Sequence, residues 1–210
     1  MDRVEVAANS TYFSIEDVSA RPFSFASWFK LDAFETADSG FYFNIGSENF
    51  KCLSAGVYSG KLTMTGSTNG TTWSFGETFR IGTTTLTVDG LWHSFIGTRD
   101  VAGVYSVYLD GQLDGAVTEA TDLFAFNSYA VRIGCHYALN TSYSYNGKLA
   151  GVSWYNYTLN AGQASAWHKA TRGSFANGFR RKPLSIPYAP AAAAGGGSFP
   201  FNLYYGGGLV

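Results

Sequence analysis

The stretch Asp89-Gly90-Leu91-Trp92-His93-Ser94-Phe95-Ile96-Gly97-Thr98-Arg99-Asp100, followed closely by Val104-Tyr105-Ser106-Val107-Tyr108-Leu109-Asp110-Gly111, decides the fold. β-Branched and aromatic residues fill both runs, and Asp-Gly pairs punctuate them. Asp and Gly accept the backbone conformations that tight turns require, whereas β-branched and aromatic side chains suit a pleated surface. The passage therefore predicts two antiparallel strands. One opens at Asp89-Gly90. The other closes at Asp110-Gly111 and leads into Gln112-Leu113-Asp114-Gly115.

Outward from this pair the period-two pattern continues. Phe23-Ser24-Phe25-Ala26-Ser27-Trp28-Phe29-Lys30-Leu31 places Phe23, Phe25, Phe29 and Leu31 on one face. Further strands are expected over 2–7, 40–45, 51–58, 61–65, 130–134 and 146–157, and the Thr-rich run 83–88 is β-prone. The period then changes. Asn160 is an N-cap type with Gln163 three residues on, a capping box. A short helix is expected over 160–171, ended by Gly173.

These stretches resemble the laminin-G-like, concanavalin A-like lectin/glucanase domains. The family's strand pair runs Asp-Gly-x-Trp-His-x-apolar, then Thr-Arg-Asp, then Tyr-apolar-Asp-Gly, and every element stands here between Asp89 and Gly111. The run from Phe23 to Leu31 is similar to the family's Phe-Ser-apolar-x-x-Trp-apolar-Lys strand. Asn146 to Tyr157 is similar to its late strand, and Leu159-Asn160…Gln163 to the start of its short helix. The resemblance covers about residues 2–172. It implies an all-β, two-sheet antiparallel jelly-roll sandwich with one short helix, here residues 1–173, followed by an extended arm, 174–210. It also implies that Trp28, Trp92, Trp154 and Trp167 are framework residues, and that His93 packs or hydrogen-bonds rather than acting as a base.

Composition bounds the function. Charged residues are 14% of the chain, against about 25% in ordinary soluble proteins, so part of the surface is expected to be covered by a partner. Residues 1–171 hold ten Lys/Arg and all fifteen Asp/Glu, a balance of −5; residues 172–210 hold four Lys/Arg and no acid, +4. An acidic body argues against nucleic acid as the main partner. No apolar run reaches the length of a membrane span, and no basic region followed by an apolar run marks a signal peptide at the N-terminus. The Asn-x-Ser/Thr triplets at Asn9, Asn69, Asn140 and Asn156 are accordingly expected to go unmodified.

Little in the chain suggests chemistry. Glycosidases need two carboxylates held about 5–9.5 Å apart. The hydrolase relatives carry a Glu-x-Asp-x-x-Glu run, which is lacking here; Glu16-Asp17, Glu35…Asp38 and Asp110…Asp114 fall at turns. No catalytic residue is expected. Cys52 and Cys135 fit no metal or redox spacing, and free buried thiols or a disulfide remain the alternatives. No His/Cys/Asp cluster suggests zinc. Some relatives bind calcium on the sandwich rim, and Asp38, Asn44 and Asp122 are the oxygens this chain would offer; the dense Asp/Asn spacing of a strong site is missing, so no cofactor is expected.

Two features point to binding. Trp73 in Ser67-Thr68-Asn69-Gly70-Thr71-Thr72-Trp73, and Tyr137, Asn140, Tyr143 and Tyr145, set aromatic faces beside hydroxyl and amide groups, as a sugar ring requires. The arm carries Arg180, Arg181 and Lys182, then Ile186, Tyr188, Phe199, Phe201, Tyr204 and Tyr205 among Pro, Ala and Gly. Its cations complement the acidic body, and its apolar side chains could anchor it on another subunit. By analogy with phage proteins, which borrow laminin-G-like domains and carry such arms, the expected function is a non-catalytic virion surface protein, assembled in the host cytoplasm and held by its arm. Glycan attachment is the alternative.

Overall fold

The computed structural model describes residues 4–6, 21–34, 40–48, 51–74, 81–123, 131–134, 145–176 and 201–202. Two antiparallel sheets carry the chain. The five-stranded sheet runs in the order β1 (Val4–Val6), β9 (Val131–Ile133), β3 (Gly40–Glu48), β4 (Lys51–Tyr58), β5 (Lys61–Thr65). The six-stranded sheet runs β11 (Phe201–Asn202), β10 (Gly147–Tyr155), β2 (Phe23–Leu31), β6 (His93–Arg99), β7 (Val104–Leu109), β8 (Gln112–Thr118). This is the jelly-roll sandwich expected.

The quoted stretch forms β6 and β7, paired from Phe95↔Leu109 to Arg99↔Tyr105. Side chains alternate across a strand, so Phe95 and Val107 face inward with Phe25 and Phe29 of β2. From the opposite sheet come Phe43, Ile45, Leu53, Val57, Leu62 and Met64. Phe25 meets Phe43 at 4.7 Å between ring centres, one of several aromatic contacts that fill the interior.

β2 is buried on both faces, because Ala26 and Trp28 point outward into a second apolar layer. That layer is roofed by α1 (Ala161–Ala176), whose Ala164 and Trp167 pack over Trp28, Ile96, Tyr108 and Tyr155. The capping box forms reciprocally: Gln163 N–H donates to Asn160 Oδ1 at 3.0 Å, and Asn160 N–H to Gln163 Oε1 at 2.9 Å. The helix runs on past Gly173 to Ala176 instead of ending there. Gly is only a mild helix breaker, costing about 1 kcal/mol inside a helix, and tertiary anchoring outweighs it. Trp28 Nε1–H donates to Thr171 Oγ1, whose own hydroxyl donates to the Trp167 carbonyl.

Residues 83–88 form no strand. They continue a strap that begins at Ile81 and closes the open side of the sandwich between two edge strands. Gly82 N–H donates to Leu62 O and Leu86 N–H to Gly60 O on the β5 side; Thr83 N–H donates to Asp114 O on the β8 side. A Cβ at Gly115 would collide with the Ile81 carbonyl oxygen, so glycine there lets the strap lie flat. β propensity alone could not separate a strap bonded to both sheets from a strand in one. Conversely, Gln112–Thr118 pairs with β7 as an edge strand, where the Gly and Asp of Leu113-Asp114-Gly115 had hidden a strand pattern.

Candidate functional site

The glycan candidates separate. Ser67, Thr68, Asn69 and Ser74 fold the loop before Trp73 on itself. Asn69 Oδ1 accepts from the Thr71 and Thr72 amides at 2.8 and 2.9 Å, and Ser74 Oγ accepts from Thr68 N–H at 2.9 Å. Asn69, Thr71 and Thr72 are exposed and Trp73 is half-buried. An aromatic therefore sits beside a preorganised cluster of hydroxyls. Tyr145, by contrast, is core: it is 5% exposed, and its hydroxyl donates to Lys30 O at 2.6 Å. Burial pushes its pKa far up. A ring locked inside the sandwich offers no face to a sugar. Tyr137, Asn140 and Tyr143 lie outside the described residues.

Of the arm, Arg180, Arg181, Lys182, Ile186, Tyr188, Phe199, Tyr204 and Tyr205 lie outside the described residues. Phe201 does not. It pairs through β11 with Trp154 of β10, so this part of the arm lies along the chain's own sheet edge. Of the calcium candidates, Asn44 Nδ2 is engaged with Ser54 Oγ, and Asp122 faces the buried guanidinium of Arg99 at 3.4 Å. Asp38 and Cys135 fall outside the described residues, and Cys52 sits in β4 opposite Gly46. Among the described residues, no three His, Cys, Asp or Glu side chains are grouped to hold a metal. Among them too, no helix is long and apolar enough to cross a membrane.

The polar side chains of the signature motif converge instead on one cluster. Asp89 Oδ1 accepts the Leu91 amide at 2.8 Å and shapes the first turn. His93 lies between two carboxylates: Nε2 is 3.1 Å from Asp89 Oδ2, and Nδ1 is 2.8 Å from Asp110 Oδ2. Asp110 Oδ1 also accepts the Ser94 amide at 2.9 Å. Ser94 Oγ then meets His168 Nδ1 of α1 at 2.8 Å. A Cβ at Gly111 would press on His168 and Ser165, so the β7–β8 turn abuts the helix directly. His93 thus packs and hydrogen-bonds, as the resemblance implied. The link to His168, 74 positions from Ser94, had no sequence signal, because nothing in local spacing joins a strand to a helix that far along.

Ser94, His168 and Asp110 are the residue types of a nucleophilic triad, and their geometry excludes that role. A triad places serine and carboxylate on opposite imidazole nitrogens. Here both face Nδ1, Asp110 Oδ1 at 4.0 Å, and Ser94 is fully buried. The remaining carboxylates also serve structure. Asp114 Oδ1 accepts the Thr84 amide of the strap, and Asp100 Oδ1 the amides of Ala102 and Val104.

The sandwich fold is similar to that of other proteins. A putative carbohydrate binding protein from Bacteroides ovatus shares 16% identity, with a TM-score of 0.58, over 79% of this chain and 44% of that one. The binding domain of botulinum neurotoxin DC, in complex with rat synaptotagmin II, shares 13% at a TM-score of 0.53, over 80% and 39%. The Ruminococcus gnavus IT-sialidase CBM40, bound to α2,3 sialyllactose, shares 10% at 0.55, over 80% and 97%. This chain spans less than half the length of the first two. No curated protein matches it. The sequence profile of the Concanavalin A-like lectin/glucanases superfamily matches residues 7–165, and with two antiparallel sheets and the signature strand pair in place, the chain belongs to that superfamily.

Proposed function

We propose that this chain is a non-catalytic carbohydrate-binding module. The observation that carries the reading is its likeness, over 80% of its length, to nearly the whole of a module bound to sialyllactose. The likeness to a putative carbohydrate binding protein supports it. So does the engagement of Asp89, Asp100, Asp110, Asp114 and Asp122 in turns, the strap and ion pairs, which leaves none of them poised as a general acid. Trp73, beside Thr71 and Thr72, is the contact we assign to the sugar: aromatic faces stack on pyranose C–H faces while neighbouring hydroxyls fix orientation.

A glycan array probed with the full chain, sialylated lactose included, tests this. Binding to at least one glycan class is expected, with a loss of about tenfold or more on Trp73→Ala, as a stacking aromatic worth about 1.4 kcal/mol would give. Silence across the array would overturn the module reading. Equal binding by both proteins would move the site away from Trp73. Protein capture is the second reading, favoured by the toxin domain that binds synaptotagmin. A virion role for the arm has no counterpart among the relatives described here.

A further inference from the structure

His93 and His168 share Asp110, yet their surroundings ask for opposite protonation states. A neutral imidazole carries one N–H. Both nitrogens of His93 face carboxylate oxygens, Asp110 Oδ2 at 2.8 Å and Asp89 Oδ2 at 3.1 Å, and only the imidazolium donates to both. The ring is three-quarters buried, with Phe29 at 5.7 Å; its contact with Asp110 is partly buried, and its contact with Asp89 lies at the surface. His168 meets the Ser94 hydroxyl, which can donate or accept and so demands no charge. Trp28 stacks on its ring at 5.2 Å, Asp110 Oδ1 stands 4.0 Å off, and Lys169 and Arg172 on its own helix oppose a further cation.

We propose that Asp89, His93, Asp110, Ser94 and His168 form a proton-operated clasp: the His93 proton ties the two Asp-Gly turns together, and its loss leaves one N–H for two carboxylates, turns the charge-assisted bond to Asp110 into a neutral one, and so loosens Ser94 and the seat of helix α1 on the six-stranded sheet. Asp110 transmits the change because one carboxylate binds both the His93 ring and the Ser94 amide, and Ser94 in turn holds His168. The helix is the responsive element because Gly111 lets the turn and α1 touch without an intervening side chain.

The electrostatics agree in direction. The hydrogen bond with Asp110 holds the His93 pKa above the ordinary imidazole value despite partial burial, with Asp89 adding to it. A raised folded-state value means stabilisation that is complete below the unfolded value, about 6.5, and lost as pH rises through the folded one. Burial lowers the pKa of His168, with Arg172 and Lys169 reinforcing it and Asp110 opposing. Its contribution is lost as pH falls from about 6.5 through its folded value. Burial raises Asp110, but the bonds from His93 and the Ser94 amide outweigh it and hold the carboxyl below its usual range; Asp89 is lowered chiefly by the Leu91 amide. Both carboxylates stay ionised on either side of neutrality. The two histidines therefore contribute in opposite directions, His93 to an alkaline limb and His168 to an acid one.

The test uses the full chain, with NMR titration of the histidine ring protons and thermal unfolding from about pH 5 to about pH 9, the range in which imidazoles change charge. Hydrogen exchange of the helix amides, normalised for the intrinsic rate, reports on α1. His93 should titrate above a free imidazole and His168 below it. Helix protection should fall severalfold along the alkaline limb. His93→Gln should remove the alkaline limb and keep the acid one; His168→Gln should do the reverse. Parallel alkaline limbs in the wild type and His93→Gln, a His93 that titrates at or below the free value, or helix protection indifferent to pH would each overturn the proposal. Should His93→Gln fail to fold, the wild-type titration and helix protection decide the matter by themselves.

Discussion

Both sheets bury side chains on their outer faces, but the six-stranded sheet buries mainly apolar ones there and the five-stranded sheet polar ones. On the six-stranded sheet, Ala26, Trp28, Ile96, Tyr108 and Ala150 lie beneath Ala164 and Trp167 of α1. On the five-stranded sheet, the buried outward positions of β3, β4 and β5 include Asn44, Ser54, Thr63 and Thr65, all at most 5% exposed, whereas Tyr58 and Lys61 at the hairpin end are half-buried. Three of them form a row across the strands, Asn44↔Ser54↔Thr65, and Arg132 of β9 extends it from the other side. Burial therefore does not dictate apolarity. A helix offers no spare backbone donors along its flank, so the sheet beneath it is mainly apolar, and a polar group there needs a side chain to answer it, as His168 of α1 does for Ser94. A polar row can be buried when neighbours satisfy it, as Asn44 Nδ2 does with Ser54 Oγ.

That contrast can be broken from either side. The largest effect is expected on the helix-covered face: Trp28→Ala should cost about 3–5 kcal/mol, the usual price of emptying a large aromatic site, measured by denaturant unfolding. Trp28 and Trp167 stack at 6.2 Å, so the double alanine variant should cost less than the two single losses added together. A strictly additive pair would mean that the roof is not one packed unit. On the polar face, Asn44→Ala should cost about 1–3 kcal/mol, because it removes one bond while Ser54 stays buried. A loss as large as that of Trp28 would show that the row carries the sheet rather than accompanying it. The smallest effect belongs to the edge of the roof. Asn160→Ala removes the cap and should cost about 1 kcal/mol, with helix amides exchanging faster while the strands keep their protection.

The same contrast explains what could be read from the chain. β2, β4 and β5 were legible to the residue, since their apolar periods and bounding turns leave one register. The capping box was legible too, being local by nature. β8 was not, because an edge strand with one covered face tolerates the Gly and Asp that elsewhere mark a turn. The strap was misread for the converse reason: Thr and Val suit extended backbone wherever its hydrogen bonds lead. Of the binding candidates, Trp73 stands half-exposed beside its hydroxyls and Tyr145 is interior, although both read as loop aromatics. Nothing local to Tyr145 reveals that Lys30 O, 115 positions away, awaits its hydroxyl.

By itself, the sequence determined the sandwich, its signature strand pair and the start of its helix, because alternation, turn chemistry and capping act over a few residues and need no distant partner. Only the tertiary structure decided how the signature is used. Asp89, His93 and Asp110 were visible as a turn-and-strand motif, but Ser94 and Asp110 acquire His168 through the docking of α1, and Trp28 acquires Trp167 in the same step. Which face is roofed, which tyrosine is buried and which histidine meets Ser94 are contacts between segments far apart in the chain, and such contacts exist only once both sheets and the helix have packed.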